Sequence, residues 1–184
     1  ILHVGNRDQI IVALKNNAVD IAIMGRPARH PPTNEIVLGD HPHLIILPPG
    51  HELAGRSDAQ PEEILSHPII TREVGSGTRI LTTRYLDRIA PGLPYQTIEM
   101  DSNETIKQAV IAGLGISLIS AHTVIEELRV GRLQTLKGSD FPIMRKWYLL
   151  TPKDQKHTGA SAVIVDFIIE QSGAYLPKLE PVSY

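Results

Sequence analysis

Arginines, hydroxyls and one amide gather around two short turns in this sequence, and the chemistry they suit is anion binding. The first turn is Arg72-Glu73-Val74-Gly75-Ser76-Gly77-Thr78-Arg79. An apolar strand ends there, a Gly-Ser-Gly turn follows, and a helix begins. Unpaired N–H groups at a helix start, together with its dipole, favour an anion, and Arg72 and Arg79 can add bidentate contacts. The same residues also fit an ordinary capped turn, with Ser76 or Thr78 as N-cap. No Gly-Lys-Ser/Thr follows, so this is not a Walker loop. The second turn, Asp101-Ser102-Asn103-Glu104-Thr105, again lies between strand and helix. Ser102 and Thr105 are candidate caps, and the Asn103 amide can meet a ligand hydroxyl. The candidate anion site therefore comprises Arg72, Glu73, Ser76, Gly77, Thr78, Arg79, Ser102, Asn103 and Glu104, with Arg26 closing from another part of the chain. Arg26 and Arg7 also fit solvated surface charges, and Arg72 can instead pair with Glu73 or Glu104.

Other chemistry finds little support. There are no cysteines, which excludes disulfides, thiolate metal sites and a Cys nucleophile. His41 and His43 can share one strand face, but no second matched pair accompanies them, so no metal is expected. His30, His51, His67, His122 and His157 lie scattered near loops and caps. No Gly-x-Ser-x-Gly elbow occurs. Glu62-Glu63 and Glu126-Glu127 are adjacent on helix surfaces, where their side chains diverge. No catalytic constellation assembles, so neither an enzyme nor a cofactor is expected.

The elements that hold these turns alternate. Strands are expected at Ile1–Val4, Asp20–Gly25, Ile36–Leu38, Leu44–Leu47, Ile69–Arg72, Gln96–Met100, Ile116–Ile119, Leu133–Leu136 and Arg145–Thr151. Helices are expected at Asp8–Lys15, Pro61–Leu65 (Pro first), Gly77–Ala90, Asn103–Gly113, His122–Leu128 and Ser161–Gln171. The Asn103 helix carries Ile106, Val110, Ile111 and Leu114 on one stripe; the last has Val165, Ile168 and Ile169 toward the core. Such alternation implies an α/β fold with parallel sheets. Breakers at Pro48-Pro49-Gly50 and near Pro142 divide it into two Rossmann-like lobes with a hinge: residues 1–49 with 145–184, and residues 50–144. Ligands of such folds sit at strand carboxyl ends and helix N-termini.

The chain has 184 residues, 42% of them hydrophobic, and a net charge of −2. That balance, without a basic stripe, argues against direct DNA contact. No apolar run is long enough for a membrane span, and Ile1–Asn6 lacks the charged start of a signal peptide. Strand-like residues begin at once, so the start is expected to lie inside a longer fold.

The stretch VGNRDQIIVALKNNAVDIAIMGRP resembles the first regulatory lobe of LysR-type regulators, and AVIAGLGISLIS resembles a segment of their second lobe. GNR, AIMGRP, REVGSGTR and MDSNETIKQAV, with AGLGI after Ile111, are similar in that order to the subgroup that controls ribulose-bisphosphate carboxylase operons of the Calvin cycle. The resemblance covers nearly the whole chain. It implies a type 2 periplasmic-binding-protein-like fold, a homodimer or homotetramer in the cytoplasm, and a small anionic effector between the lobes, a phosphorylated sugar or NADPH. DNA would be met only through a winged helix-turn-helix domain not in this sequence; the first strand and helix of the first lobe also have no counterpart here. A transporter's solute-binding protein shares this clamshell and is the alternative reading.

Overall fold

The computed structural model describes residues 1–154, 158–171 and 173–179. Two compact units emerge, one from Ile1–His41 with Arg145–Leu176, the other from Pro42–Met144 together with residues 177–179. His157, and residues 180–184 of the expected first lobe, lie outside the described residues.

In the first unit, α1 (Arg7–Lys15) is started by Asn6, whose side chain accepts from the Gln9 N–H while the Gln9 side chain returns to the Asn6 N–H. This reciprocal capping satisfies donors that a helix start leaves open. Leu14 of α1 packs with Ala22 and Met24 of β1 (Ala22–Met24) and Leu150 of β7 (Ile143–Pro152). The β1 strand pairs antiparallel with β7, not in the parallel arrangement expected, and Ile23 faces solvent. Ile1–Asn6 forms no strand, and Ile1, Leu2 and Val4 are exposed. Apolar side chains make a strand only where a neighbour's ladder receives them, and none of the described strands pairs there. The last helix, α6 (Ala160–Gln171), half-buries Val165 and Ile168 but leaves Ile169 exposed, against expectation.

The two expected strands at 36–38 and 44–47 are one, β2 (Thr33–Leu47). Gly39 and Pro42 do not break it. Pro42 precedes the first rung to β5 (Ser117–Ser120), His43 opposite Ser120, so its missing N–H costs that ladder nothing. The sequence places the crossing at residues 48–50; the division between units falls earlier, inside β2. His41 and His43 are both buried on this strand, and His41 stacks on Trp147 at 3.8 Å between ring centroids. Among the described residues no cluster of His, Asp and Glu is assembled to hold a metal, and no helix is long and apolar enough to cross a membrane.

The second unit is layered, and strand alternation decides its two faces. Ile45, Leu47, Ile69 and Leu118 pack with Ile64 and Leu65 of α2 (Pro61–Leu65) and with Tyr85 and Leu86 of α3 (Gly77–Ile89). The residues between them, Ile46, Ile70 and Ile119, pack with Ile106, Ala109 and Val110 of α4 (Asn103–Ile111). Fully burying each such side chain contributes about 1.5–3 kcal/mol. Leu114, expected on the α4 stripe, lies beyond the helix end and is exposed. Parallel pairing joins β3 (Ile69–Arg72) to β4 (Thr97–Met100), and one parallel bridge joins Ile69 to Ile116. The expected helix at 122–128 is a 3-10 turn at Ala121–Thr123 followed by α5 (Ile125–Arg129). Between α5 and β7, the short β6 (Gln134–Thr135) pairs antiparallel with the end of β2.

Candidate functional site

Both candidate turns follow strands that pair in register, Arg72 beside Met100. The starts of α3 and α4 therefore emerge from the same end of the β3–β4 pair. Alternation then sorts the side chains. Ile69 faces α3 and Ile70 faces α4; Thr71, in register with Glu99, falls on the α3 side, and Arg72 on the α4 side.

Arg72 joins the two helix starts. Its Nη1 donates to Oδ1 of Asn103, the first residue of α4, at 2.9 Å. Nε and Nη2 hold the Glu73 carboxylate at 2.7 and 3.0 Å, with both side chains mostly buried. The pairing of Arg72 with Glu73, open in the sequence, is thus present. Arg79, in the first turn of α3, donates from Nη1 to the Arg72 carbonyl at 2.9 Å and also to the Glu99 carboxylate. Ser76 is the N-cap residue of α3 and is buried, but its side chain makes no capping bond. Thr78 does not cap either; its carbonyl accepts from the Thr82 hydroxyl at 3.0 Å. Gly77 opens the helix.

At the α4 start, Ser102 Oγ accepts from the Thr105 N–H at 3.0 Å and lies 2.7 Å from the Thr105 hydroxyl. Ser102 therefore fills the cap role, which accounts for its presence without a ligand. Glu104 turns along the helix, to Lys107 at 2.7 Å and Gln108 at 2.9 Å. Those bonds, from Lys107 first and then Gln108, hold its carboxyl below the usual range.

The structure thus brings together Arg72, Glu73, Ser76, Gly77, Thr78, Arg79, Ser102 and Asn103 at one strand end, with Glu104 directed away from them. Arg26 is an exposed residue of the first unit, just after β1. Two residues escaped the sequence reading. Glu99 is the partner of Arg79, and only strand register places it there. Thr71 has a buried hydroxyl with no hydrogen-bond partner among the described residues. Alternation puts it opposite Arg72, but nothing in its type marks it.

Against known proteins, the model of the LysR substrate binding domain matches residues 1–173. The HTH-type transcriptional regulator CbbR of Cereibacter sphaeroides is 48% identical over 176 residues, which cover 96% of this chain and 57% of that protein. The RuBisCO operon transcriptional regulator of Allochromatium vinosum is 33% identical over 171 residues, covering 93% of this chain and 56% of that protein. The chain spans little more than half the length of these relatives, and both are regulators by name, which favours the regulator over the transport reading. Among solved structures, the Synechocystis PCC6803 CcmR regulatory domain in complex with 2-PG superposes with a TM-score of 0.83 at 30% identity, covering 92% of this chain and 81% of that one. Its type 2 periplasmic-binding-protein-like α/β fold is the fold of this chain.

Proposed function

The chain belongs to the LysR substrate-binding domain family, and on that premise we propose that it senses a small phosphate-bearing acid for a regulator of carbon-fixation genes. In this reading the first unit is regulatory lobe I and the second is lobe II. The sensor is not an enzyme. It acts in the cytoplasm as part of a homo-oligomer and touches DNA only through another domain of the whole protein.

We place the anion at the starts of α3 and α4. The bonds from Arg72 to Asn103 and from Arg79 to the Arg72 carbonyl support this most directly, because together they tie both helix starts to one strand end. Each start favours negative charge by about 0.3–1 kcal/mol, and a charge-assisted bond from arginine adds about 1.5–3 kcal/mol. Together they suit an affinity between about 1 μM and 1 mM. The 2-PG held by the Synechocystis domain is a ligand of this class.

Calorimetric titration with 2-PG tests the placement. Arg79→Ala and Asn103→Ala should each weaken binding about tenfold or more while the far-ultraviolet dichroism stays that of the parent. Parent-like titrations by both variants would put the pocket elsewhere. Binding of glucose in preference to 2-PG would overturn the anion assignment.

A further inference from the structure

Neither arginine of the site is idle, and they are held differently. Arg72 is mostly buried, grips Glu73 with two nitrogens and Asn103 with a third, and has its partner next to it in the chain. Arg79 is about one-third exposed, and its acidic partner Glu99 comes from a different element and is 53% exposed. A half-exposed ion pair is weak and exchanges readily; a buried bidentate one does not. On the face that carries Glu99, the Thr71 hydroxyl is buried without a partner, a state that folded proteins seldom leave unfilled. That face is the one covered by α3.

We propose that Glu99 is an internal counter-anion that sets the affinity of this site, occupying the Arg79 guanidinium until a ligand oxyanion takes its place. Arg72 keeps its partners throughout and serves as the fixed donor. Arg79 changes partner, from the Glu99 carboxylate to the incoming phosphate or carboxylate, and the Thr71 hydroxyl donates to the same group. Glu99 therefore determines specificity by exclusion. An anion too weak to displace a carboxylate does not bind, and neutral solutes gain nothing from the exchange. No covalent step is involved.

This inference rests on the anion-site reading above, and a double-mutant cycle separates the two. The probes are inorganic phosphate and 2-PG, titrated calorimetrically into the parent chain, Glu99→Gln, Arg79→Ala and the double variant. The Glu99→Gln change should tighten binding about two- to fivefold, the range of a half-exposed pair. In the Arg79→Ala background the same change should have no effect, because the guanidinium it releases is gone. Equal tightening in both backgrounds would reduce Glu99 to a diffuse charge and overturn the proposal. Weaker or unchanged binding by Glu99→Gln, with Arg79→Ala still impaired, would also overturn it and leave the site standing. Loss of neither, or no heat from any of the four proteins, would remove the site and the inference together. Unfolding midpoints of the four proteins exclude a folding defect as the cause.

Discussion

His51 shows how one ring nitrogen can tie stability to pH. Its Nδ1 accepts the Leu53 N–H at 3.2 Å, so that nitrogen must carry no proton in the folded chain. The ring lies 4.4 Å from the His67 ring. Burial first, then the His67 charge, lower the His51 pKa from 6.5, and Glu52 opposes only in part. The unfolded chain then takes up the proton at a higher pH than the folded one. The contribution is fully present above about 6.5 and is lost as pH falls through the lower folded value. We expect the urea midpoint to drop between about pH 7.5 and 5.5, and His51→Asn, which keeps an acceptor without a titrating ring, to flatten that drop. Equal slopes in parent and variant would show that His51 does not carry the effect. Lys107 is a contrasting case. Burial opposes its charge, but the hydrogen bonds it donates to Glu104 and Glu127 outweigh burial and raise its pKa. It stays charged across the same range and cannot produce that slope.

At the scale of elements, the junction between β3 and β5 depends on one glycine. A Cβ on Gly115 would lie 2.3 Å from the Pro68 carbonyl oxygen. That oxygen accepts the Ile116 N–H at 3.0 Å, the Ile116 carbonyl accepts the Ile70 N–H at 2.8 Å, and the Ser117 hydroxyl donates to the Ile70 carbonyl at 2.7 Å. The closest atoms, the Pro68 oxygen and carbonyl carbon, are backbone and cannot swing aside as a side-chain end can, and Ile70 Cγ1 follows at 3.2 Å. Gly115→Ala should therefore cost about 2–4 kcal/mol in urea unfolding. Gly113 is a control two residues earlier. It has φ +78° but open space around it, so Gly113→Ala should cost only the left-handed penalty of about 1–2 kcal/mol. Similar losses at the two positions would refute the close-approach argument. The proposed site depends on this junction, because β3 carries Arg72 at its end.

For the whole molecule, acidic and basic residues nearly balance. The sequence has 18 basic and 20 acidic residues. Arg56, Arg72, Arg79, Arg88 and Arg129 each pair with a carboxylate. With acidic residues in slight excess, the chain lacks the net positive field that neutralises phosphates and releases counterions, the main source of sequence-independent DNA affinity. The chain alone should bind duplex DNA no more tightly than about 1 μM at physiological salt. Fluorescence anisotropy showing a nanomolar, salt-dependent complex would contradict this.

The sequence by itself determined where the site-bearing elements lie. Pro61–Leu65 and Ile69–Arg72 match their expected bounds, and the helices after the two turns start where Gly77 and Asn103 stand. These are local outcomes, set by periodicity, proline and caps within a few residues. The motifs around them also marked the family. Pairing was decided only in three dimensions. An apolar run such as Asp20–Gly25 suits either strand direction, and only its neighbour β7 made it antiparallel. Ile1–Val4 has strand composition but no ladder to join. Gly39 and Pro42 are breakers by type, yet β2 runs through both, and the ladder to β5 begins only after Pro42, at His43. Glu99 and Thr71 entered the site for the same reason: register between β3 and β4 sets which residues share a face, and that register lies in hydrogen bonds between segments far apart in sequence.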